Sequence, residues 1–145
     1  MTQEQRLIVE LIDIMVPALL TYIDRAAHNV GKALECVQKN KPIDLYLVEN
    51  MKDLHKQFSK KYEQIKEIII PESFASGIDD NGVPLMNHIQ SLMRCGSMFK
   101  NGQDNLSNLI ESINNLPIKA KNVNNMIDIE KDLSGPYLPG LKGDA

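Results

Sequence analysis

Apolar residues recur at steps of three and four through the first forty positions, which is the spacing of one face of an α-helix. The line consists of Ile8, Ile12, Met15, Leu19, Ile23, Ala26, Val30, Ala33 and Val37. Pro17 lies among the polar residues of this stretch, where its missing donor would kink a helix without ending it. The pattern predicts a first helix from about Gln3 to Lys39.

The next segment shows the clearest helical pattern of the chain. Its apolar residues are spaced by four, three, four, four, three and four: Leu47, Met51, Leu54, Phe58, Tyr62, Ile65 and Ile69. This predicts a second helix from about Pro42 or Asp44 to Ile69, ended by Pro71. Because the connection at Asn40-Lys41-Pro42 is short, we expect the first two helices to form an antiparallel hairpin.

Turn-forming residues dominate residues 72–83, and a third helix is predicted from Pro84 onward. Gly96 weakens this helix, and Asn101-Gly102 ends or bends it. A shorter fourth helix is predicted from about Gln103 to Asn115, ended by Pro117.

The last part of the chain has no clear pattern. Val123, Met126, Ile127, Glu130 and Leu133 would allow one or two helical turns, and glycines and prolines preclude regular structure from residue 134 onward. The PxxP spacing of residues 136–139 could bind an aromatic groove, although a flexible or surface-draped terminus is the simpler interpretation. We therefore predict an all-α, up-down helical bundle of about four helices in residues 1–116. An irregular C-terminal extension, partly helical at most, follows in residues 117–145.

Composition narrows the class of protein. A chain of 145 residues with 43% hydrophobic residues is long enough for one domain with its own core. The net charge of −3 gives no global reason to bind nucleic acid or anionic lipid. The apolar stretch Leu7–Leu20 is interrupted by charged residues and is too short to span a membrane, and the N-terminus lacks a signal peptide's basic start. A cytoplasmic protein with reduced cysteines at Cys36 and Cys95 is expected.

The sequence contains no pattern typical of a metal, cofactor or catalytic site. The histidines His28, His55 and His88 are far apart, and none has a Glu three residues before it. The segment Asp79–Gly82 resembles part of a calcium loop, but His88 stands where a bidentate Glu is required. We therefore interpret this segment as a turn and predict no cofactor.

A line of lysines on the second helix offers a candidate basic patch. Lys52, Lys56 and Lys60 repeat every four residues on the side away from the apolar line. A solvated face is the simpler interpretation, and contact with nucleic acid is the alternative. No aromatic residues alternate with the lysines to provide a stacking platform.

A second apolar line on the first helix is the most informative feature. Leu7, Leu11, Ile14 and Ala18 are spaced by four, three and four beside the core line. The chain's own fourth helix and tail, a second copy of the protein, or a different partner could cover these residues. We therefore predict a non-catalytic interaction module that binds another protein or itself here. The alternatives are a nucleic-acid-binding regulator that uses the lysine line, and an enzyme of an unfamiliar helical class that uses the loop beside His88.

Overall fold

The computed structural model describes residues 1–119 and shows an all-α fold with three long helices. They are α1 (Gln3–Gln38), α2 (Leu45–Lys66) and α3 (Leu85–Ile113), and a short 3₁₀ helix (Glu72–Ser76) precedes α3. Within this part of the chain, β-structure is limited to two isolated bridges, Ile43 with Ile118 and Ile78 with Pro84. The predicted all-α class is confirmed.

A capping box begins α1. The Gln5 amide donates to Thr2 Oγ1 at 3.1 Å, and the Thr2 amide donates to Gln5 Oε1 at 2.8 Å. The helix continues through Pro17, which is exposed, so that the carbonyl freed by the missing proline N–H lies on the solvent side. It ends before Asn40, whose φ of 51° reverses the chain toward α2. The first predicted helix is confirmed, and the residues of its apolar line are either buried in the core or packed against it.

The second helix is shorter than the sequence pattern predicted. It ends at Lys66 rather than at Ile69, and Ile69 is 88% exposed. The three residues before Pro71 are β-branched, and a residue that precedes proline disfavours the α conformation. Ile68 and Ile70 leave the helix but still pack against the core.

The prediction of a separate fourth helix is wrong, because α3 runs without a break through Asn101 and Gly102. Gly102 faces the ring of Phe58, and a Cβ atom at this position would lie 2.5 Å from Phe58 Cε2. The glycine therefore lets α2 and α3 approach each other closely. Glycine has a low helix propensity, which is why the sequence predicted an end or a bend of the helix here. Packing against Phe58 compensates for this low propensity.

Fifteen buried residues from the three helices and the α1–α2 connection form the main core cluster. At its centre the rings of Phe58 and Phe99 meet edge to face with 5.0 Å between centroids. Tyr22 of α1 completes this aromatic group, with its centroid 5.8 Å from that of Phe58. All three helices therefore meet around one group of rings, which fixes their relative positions.

A second, smaller cluster closes the other end of the molecule. Val9 of α1, Phe74 of the 3₁₀ helix and Leu85 of α3 are buried together. The Gly77 amide donates to the Phe74 carbonyl, and the Leu85 amide donates to the Gly77 carbonyl at 2.9 Å. The 3₁₀ helix and the loop after it thus join the end of α2 to the start of α3 and hold the N-terminal part of α1.

The described chain ends beside the α1–α2 connection. The Ile43 amide donates to the Pro117 carbonyl at 2.9 Å, and the Lys119 amide donates to the Ile43 carbonyl at 3.0 Å. Residues 120–145 lie outside the described residues, and with them the predicted turns at Val123–Leu133 and the PxxP spacing. No helix within residues 1–119 combines the length and apolar character needed to cross a membrane.

Candidate interaction surface on α1

Four apolar side chains form an exposed line along the N-terminal half of α1, which we call the N-terminal seam. Leu7 is 57% exposed, Leu11 47% and Ile14 72%, and Ala18 is exposed as well. Their spacing of four, three and four residues is that of a coiled-coil seam, which packs against another helix. Residues 1–119 therefore leave open the second apolar line that the sequence indicated.

The position where α2 ends explains the exposure of Leu7 and Leu11. Tyr22 of α1 lies beside Phe58 of α2, and Cys36 lines a cavity together with Leu47, so the two helices run in opposite directions. From Phe58 to its last residue α2 rises by about 12 Å, and the same rise along α1 leads from Tyr22 to Ile14. The part of the seam before Ile14 therefore extends beyond the end of α2.

The side of α1 opposite the seam is attached to the rest of the molecule. Val9, which packs with Phe74 and Leu85, is about 170° from the middle of the seam by the 100° step per residue. Arg6 Nη1 lies 3.0 Å from Asp80 Oδ2 of the loop before α3. These contacts orient α1 and leave the seam facing outward.

Charged residues border the seam. The same helical line continues past Ala18 through Arg25 and Lys32, both of which are exposed. Glu10 and Asp24 are exposed along the flank that faces away from the core. An apolar stretch of about 16 Å is therefore bordered by basic residues at one end and by acidic residues along one side.

His88 connects the loop before α3 to α1. Its Nε2 lies 2.8 Å from Asp79 Oδ2, and its Nδ1 lies 3.3 Å from Asp13 Oδ1. The Asp79 side chain is only 7% exposed, and its Oδ1 accepts hydrogen bonds from the amides of Asn81 and Val83. The hydrogen bond with His88, followed by that from Val83, lowers the pKa of Asp79 below its ordinary value, although burial acts in the opposite direction.

His88 forms a structural link between α1 and the loop before α3. Both ring nitrogens face carboxylates, one from Asp13 of α1 and one from Asp79 of the loop. In the sequence His88 follows this loop closely, and the residues Asp79-Asp80-Asn81-Gly82 predict the turn that the loop makes. The sequence gave no sign of the contact between His88 and Asp13. Asp13 lies 75 positions before His88, on the polar line of α1.

The predicted lysine line lies on the outward side of α2. Lys52, Lys56 and Lys60 are all exposed. Lys52 Nζ lies 3.4 Å from Glu49 Oε2, so part of the positive charge is paired on the same helix. Surface pairs of this kind are solvated and contribute little energy.

Further candidate groups lie outside the N-terminal seam, namely the two cysteines and His55. No three His, Cys, Asp or Glu side chains of residues 1–119 are placed to hold a metal ion. Cys36 is half-buried and Cys95 buried, both as free thiols, and burial raises the pKa of Cys95. His55, on α2, lies 3.3 Å from the Ser107 hydroxyl.

No family model matches the chain, and neither a curated protein nor a solved structure is significantly similar to it. Function is therefore inferred from the N-terminal seam and its surroundings.

Proposed function

We propose that this protein is a non-catalytic interaction module that binds an amphipathic helix of a partner protein along the N-terminal seam. The exposure of Leu7, Leu11 and Ile14 carries this proposal. Apolar side chains that are contiguous and exposed mark association sites on soluble proteins. The protein would serve as an adaptor, a chaperone-like subunit, an inhibitor or an assembly factor.

The spacing of the seam and the charges along its border indicate what kind of partner helix would bind. A line with alternating steps of four and three accepts a helix that carries apolar residues at the same heptad positions. Glu10 and Asp24 along the outer flank favour a helix with Lys or Arg on the side that faces them. The small Ala18 leaves room for a large side chain of the partner at that end of the seam.

The His88 geometry supports a non-catalytic role. A general base needs a ring nitrogen that can accept a proton from a substrate. In His88 both nitrogens already lie close to the carboxylates of Asp13 and Asp79, and the pair joins two elements of the fold.

Substitution of Leu11 by Asp tests the proposal. Burial of a leucine side chain contributes about 1.5–3 kcal/mol, so we expect Leu11→Asp to weaken partner binding by about 10-fold or more. The full-length tagged protein is recovered from its host at low salt, and mass spectrometry identifies a stoichiometric partner. Titration of that purified partner then measures Kd for both proteins, while circular dichroism checks that the helices remain.

Leu34→Asp provides a matched control. Leu34 is 42% exposed, close to the 47% of Leu11, and lies on the same helix about 140° away. We expect this variant to bind the partner like the unchanged protein. Absence of a stoichiometric protein partner, or equal affinities of the two variants, would contradict the proposal. Sedimentation velocity at several concentrations shows whether the partner is a second copy.

A further inference from the structure

A surface cavity of about 490 Å³ lies between the end of α2 and the first half of α3. We call it the α2–α3 pocket, and its volume is typical of small-molecule sites. Four of its lining residues are Tyr62, Lys66, Gly96 and Ser97. The others are apolar and come from α2, from α3 and from the segment between them: Ile65, Ile68, Ile70, Ile89, Leu92 and Met93.

The pairing of α2 with α3 determines where each group lies along the pocket. In the first half of α2, His55 lies 3.3 Å from the Ser107 hydroxyl of α3. Further along α2, Ile65 lies opposite Gly96, where an added Cβ atom would be 3.3 Å from Ile65 Cγ2. The two helices therefore run in opposite directions. The Tyr62 end of the pocket faces the later part of α3, and the isoleucines that follow α2 face its beginning.

Two ammonium groups from different helices converge at the Tyr62 end. Lys66 Nζ lies 5.4 Å from the centroid of the Tyr62 ring, and Lys100 Nζ lies 5.8 Å from it. Ser97 lies one turn before Lys100, and the hydroxyls of Ser97 and Tyr62 can each donate a hydrogen bond. This end therefore offers positive charge and hydrogen-bond donors to an anionic group, whereas the other end is apolar.

The carboxylates near the two lysines leave this end open to a ligand. Lys66 Nζ lies 3.8 Å from Glu63 Oε1, and Lys100 Nζ lies 3.5 Å from Asp104 Oδ1. Both distances are longer than a charge-assisted hydrogen bond, and all four side chains are about half exposed. Surface pairs of this kind contribute little energy, so the lysines can turn toward an anion in the pocket. Neither carboxylate lines the pocket itself.

We propose that the α2–α3 pocket binds a small molecule with one alkyl chain and a terminal carboxylate, namely a free medium-chain fatty acid. The carboxylate lies between Lys66 and Lys100, and the chain runs along the apolar floor toward Ile89. From Ser97 to Ile89, α3 rises by about 12 Å, which is the length of an extended chain of about ten carbons. The N-terminal seam is a separate surface, and this site does not depend on the proposed function.

Methyl NMR of the full-length chain tests the site. Decanoate, added below its micelle concentration, is expected to shift the signals of Ile65, Ile89 and Met93 along one saturable binding curve. Octanoate should bind more weakly, by about 4-fold for each methylene group that it lacks, because each buried methylene contributes to affinity. Decylammonium, which has the same chain length and the opposite charge, should cause no saturable shift.

Charge reversal tests the role of the two lysines. Lys66→Glu with Lys100→Glu should weaken decanoate binding by about 10-fold or more and should allow decylammonium to bind. Lys66→Gln with Lys100→Gln, which adds no repulsion, should weaken decanoate binding as well. Lys52→Glu with Lys56→Glu is the matched control, since it changes the net charge equally at exposed positions outside the pocket. This control should keep the preference for decanoate, and circular dichroism checks that the helices remain.

Met93→Asp tests the apolar part of the pocket. Met93 is 64% exposed, so the fold tolerates a polar residue there. We expect the variant to bind decanoate about 10-fold more weakly, because a carboxylate replaces an apolar contact of the chain. Met98→Asp is the control, since Met98 is 39% exposed and lies about 140° away on the same helix.

The outcomes identify the occupant of the pocket. Saturable shifts that require a carboxylate, and a headgroup preference that the two glutamates reverse, support the proposal. Absence of shifts, or equal shifts with decanoate and decylammonium, would overturn it. Binding to phosphatidylglycerol vesicles without a response to dispersed decanoate would also overturn it, in favour of a lipid surface. These titrations require no protein partner, so failure of the proposed function leaves their result interpretable.

Discussion

At the scale of single residues, Asp79 is the group through which pH acts on the fold. Its side chain is nearly buried and receives hydrogen bonds from His88 and from two backbone amides. Because these bonds require the charged carboxylate, they lower its pKa from the ordinary 3.8. The stability that Asp79 contributes is therefore present above that ordinary value and is lost as the pH falls through the lowered pKa of the folded state.

We accordingly expect the unchanged protein to lose stability in acid more steeply than Asp79→Asn. The asparagine cannot be protonated in this range, so its urea midpoint should fall less between neutral pH and about pH 2. Asp80→Asn is the control, since the Asp80 side chain is 58% exposed and its pair with Arg6 is screened by solvent. Parallel pH profiles for Asp79→Asn and the unchanged protein would show that the Asp79 carboxylate does not contribute in this way.

His88 shows what a sequence can and cannot reveal about a site. The Asp79–Gly82 turn has a local signal, because an Asp side chain that bonds the amide two residues later is a common turn. Asp13 has no such signal, since its approach to His88 depends on how α1 lies against α3. The N-terminal seam was predictable from spacing alone, but the exposure of Leu7 and Leu11 depends on where α2 ends.

At the scale of elements, two helical glycines have opposite roles. A Cβ atom added at Gly31 of α1 would have no neighbour within 4 Å, whereas a Cβ at Gly102 of α3 would lie 2.5 Å from the Phe58 ring. The first glycine only weakens its helix. The second is needed for the contact between α2 and α3.

We expect Gly31→Ala to raise the free energy of unfolding by about 0.5–1 kcal/mol, which is the usual gain in helix propensity. Gly102→Ala should lower it by about 1–3 kcal/mol, because the added methyl group displaces a ring held between Tyr22 and Phe99. Urea unfolding measures both. A similar gain for both variants would show that the α2–α3 contact adjusts freely.

The helices also show which elements periodicity predicts well. Long lines of apolar residues located α1 and most of α2, since each line must be buried against something. The same reasoning failed at Gly102, because the low helix propensity of glycine predicts an end or a bend of the helix there. It also failed after Lys66, where Ile68 and Ile70 stay in the core without remaining helical. In both places tertiary packing outweighs the local pattern.

At the scale of the whole molecule, the buried residues form two clusters of different size. The aromatic group around Phe58 and Phe99 joins all three helices, whereas Val9, Phe74 and Leu85 close only the N-terminal end. Regions with separate cores can open separately. The first turns of α1, around Val9, are therefore attached by the smaller cluster, whereas Ile12 one turn later already belongs to the main one.

Phe74→Ala tests this division. Removal of a buried phenylalanine costs about 3–5 kcal/mol when the whole fold depends on it. We expect hydrogen exchange to accelerate at Val9 and Leu85, while the amides of Phe58 and Phe99 keep most of their protection. Leu106→Ala, in the main cluster, should instead weaken protection everywhere. Equal acceleration at all sites in Phe74→Ala would mean that the two clusters unfold as one unit.

Tyr22 gives the contact between α1 and α2 an optical signal. The protein has no tryptophan, and among its four tyrosines Tyr22 lies between α1 and α2, with its ring centroid 5.8 Å from that of Phe58 and beneath the Lys61 ammonium. Burial, with a smaller effect of Asp53, raises the pKa of its phenol and keeps the ring neutral and fluorescent in moderately alkaline solution. Opening of the contact between α1 and α2 would remove this burial and lower the pKa of Tyr22, and ultraviolet absorbance follows that change without any attached dye.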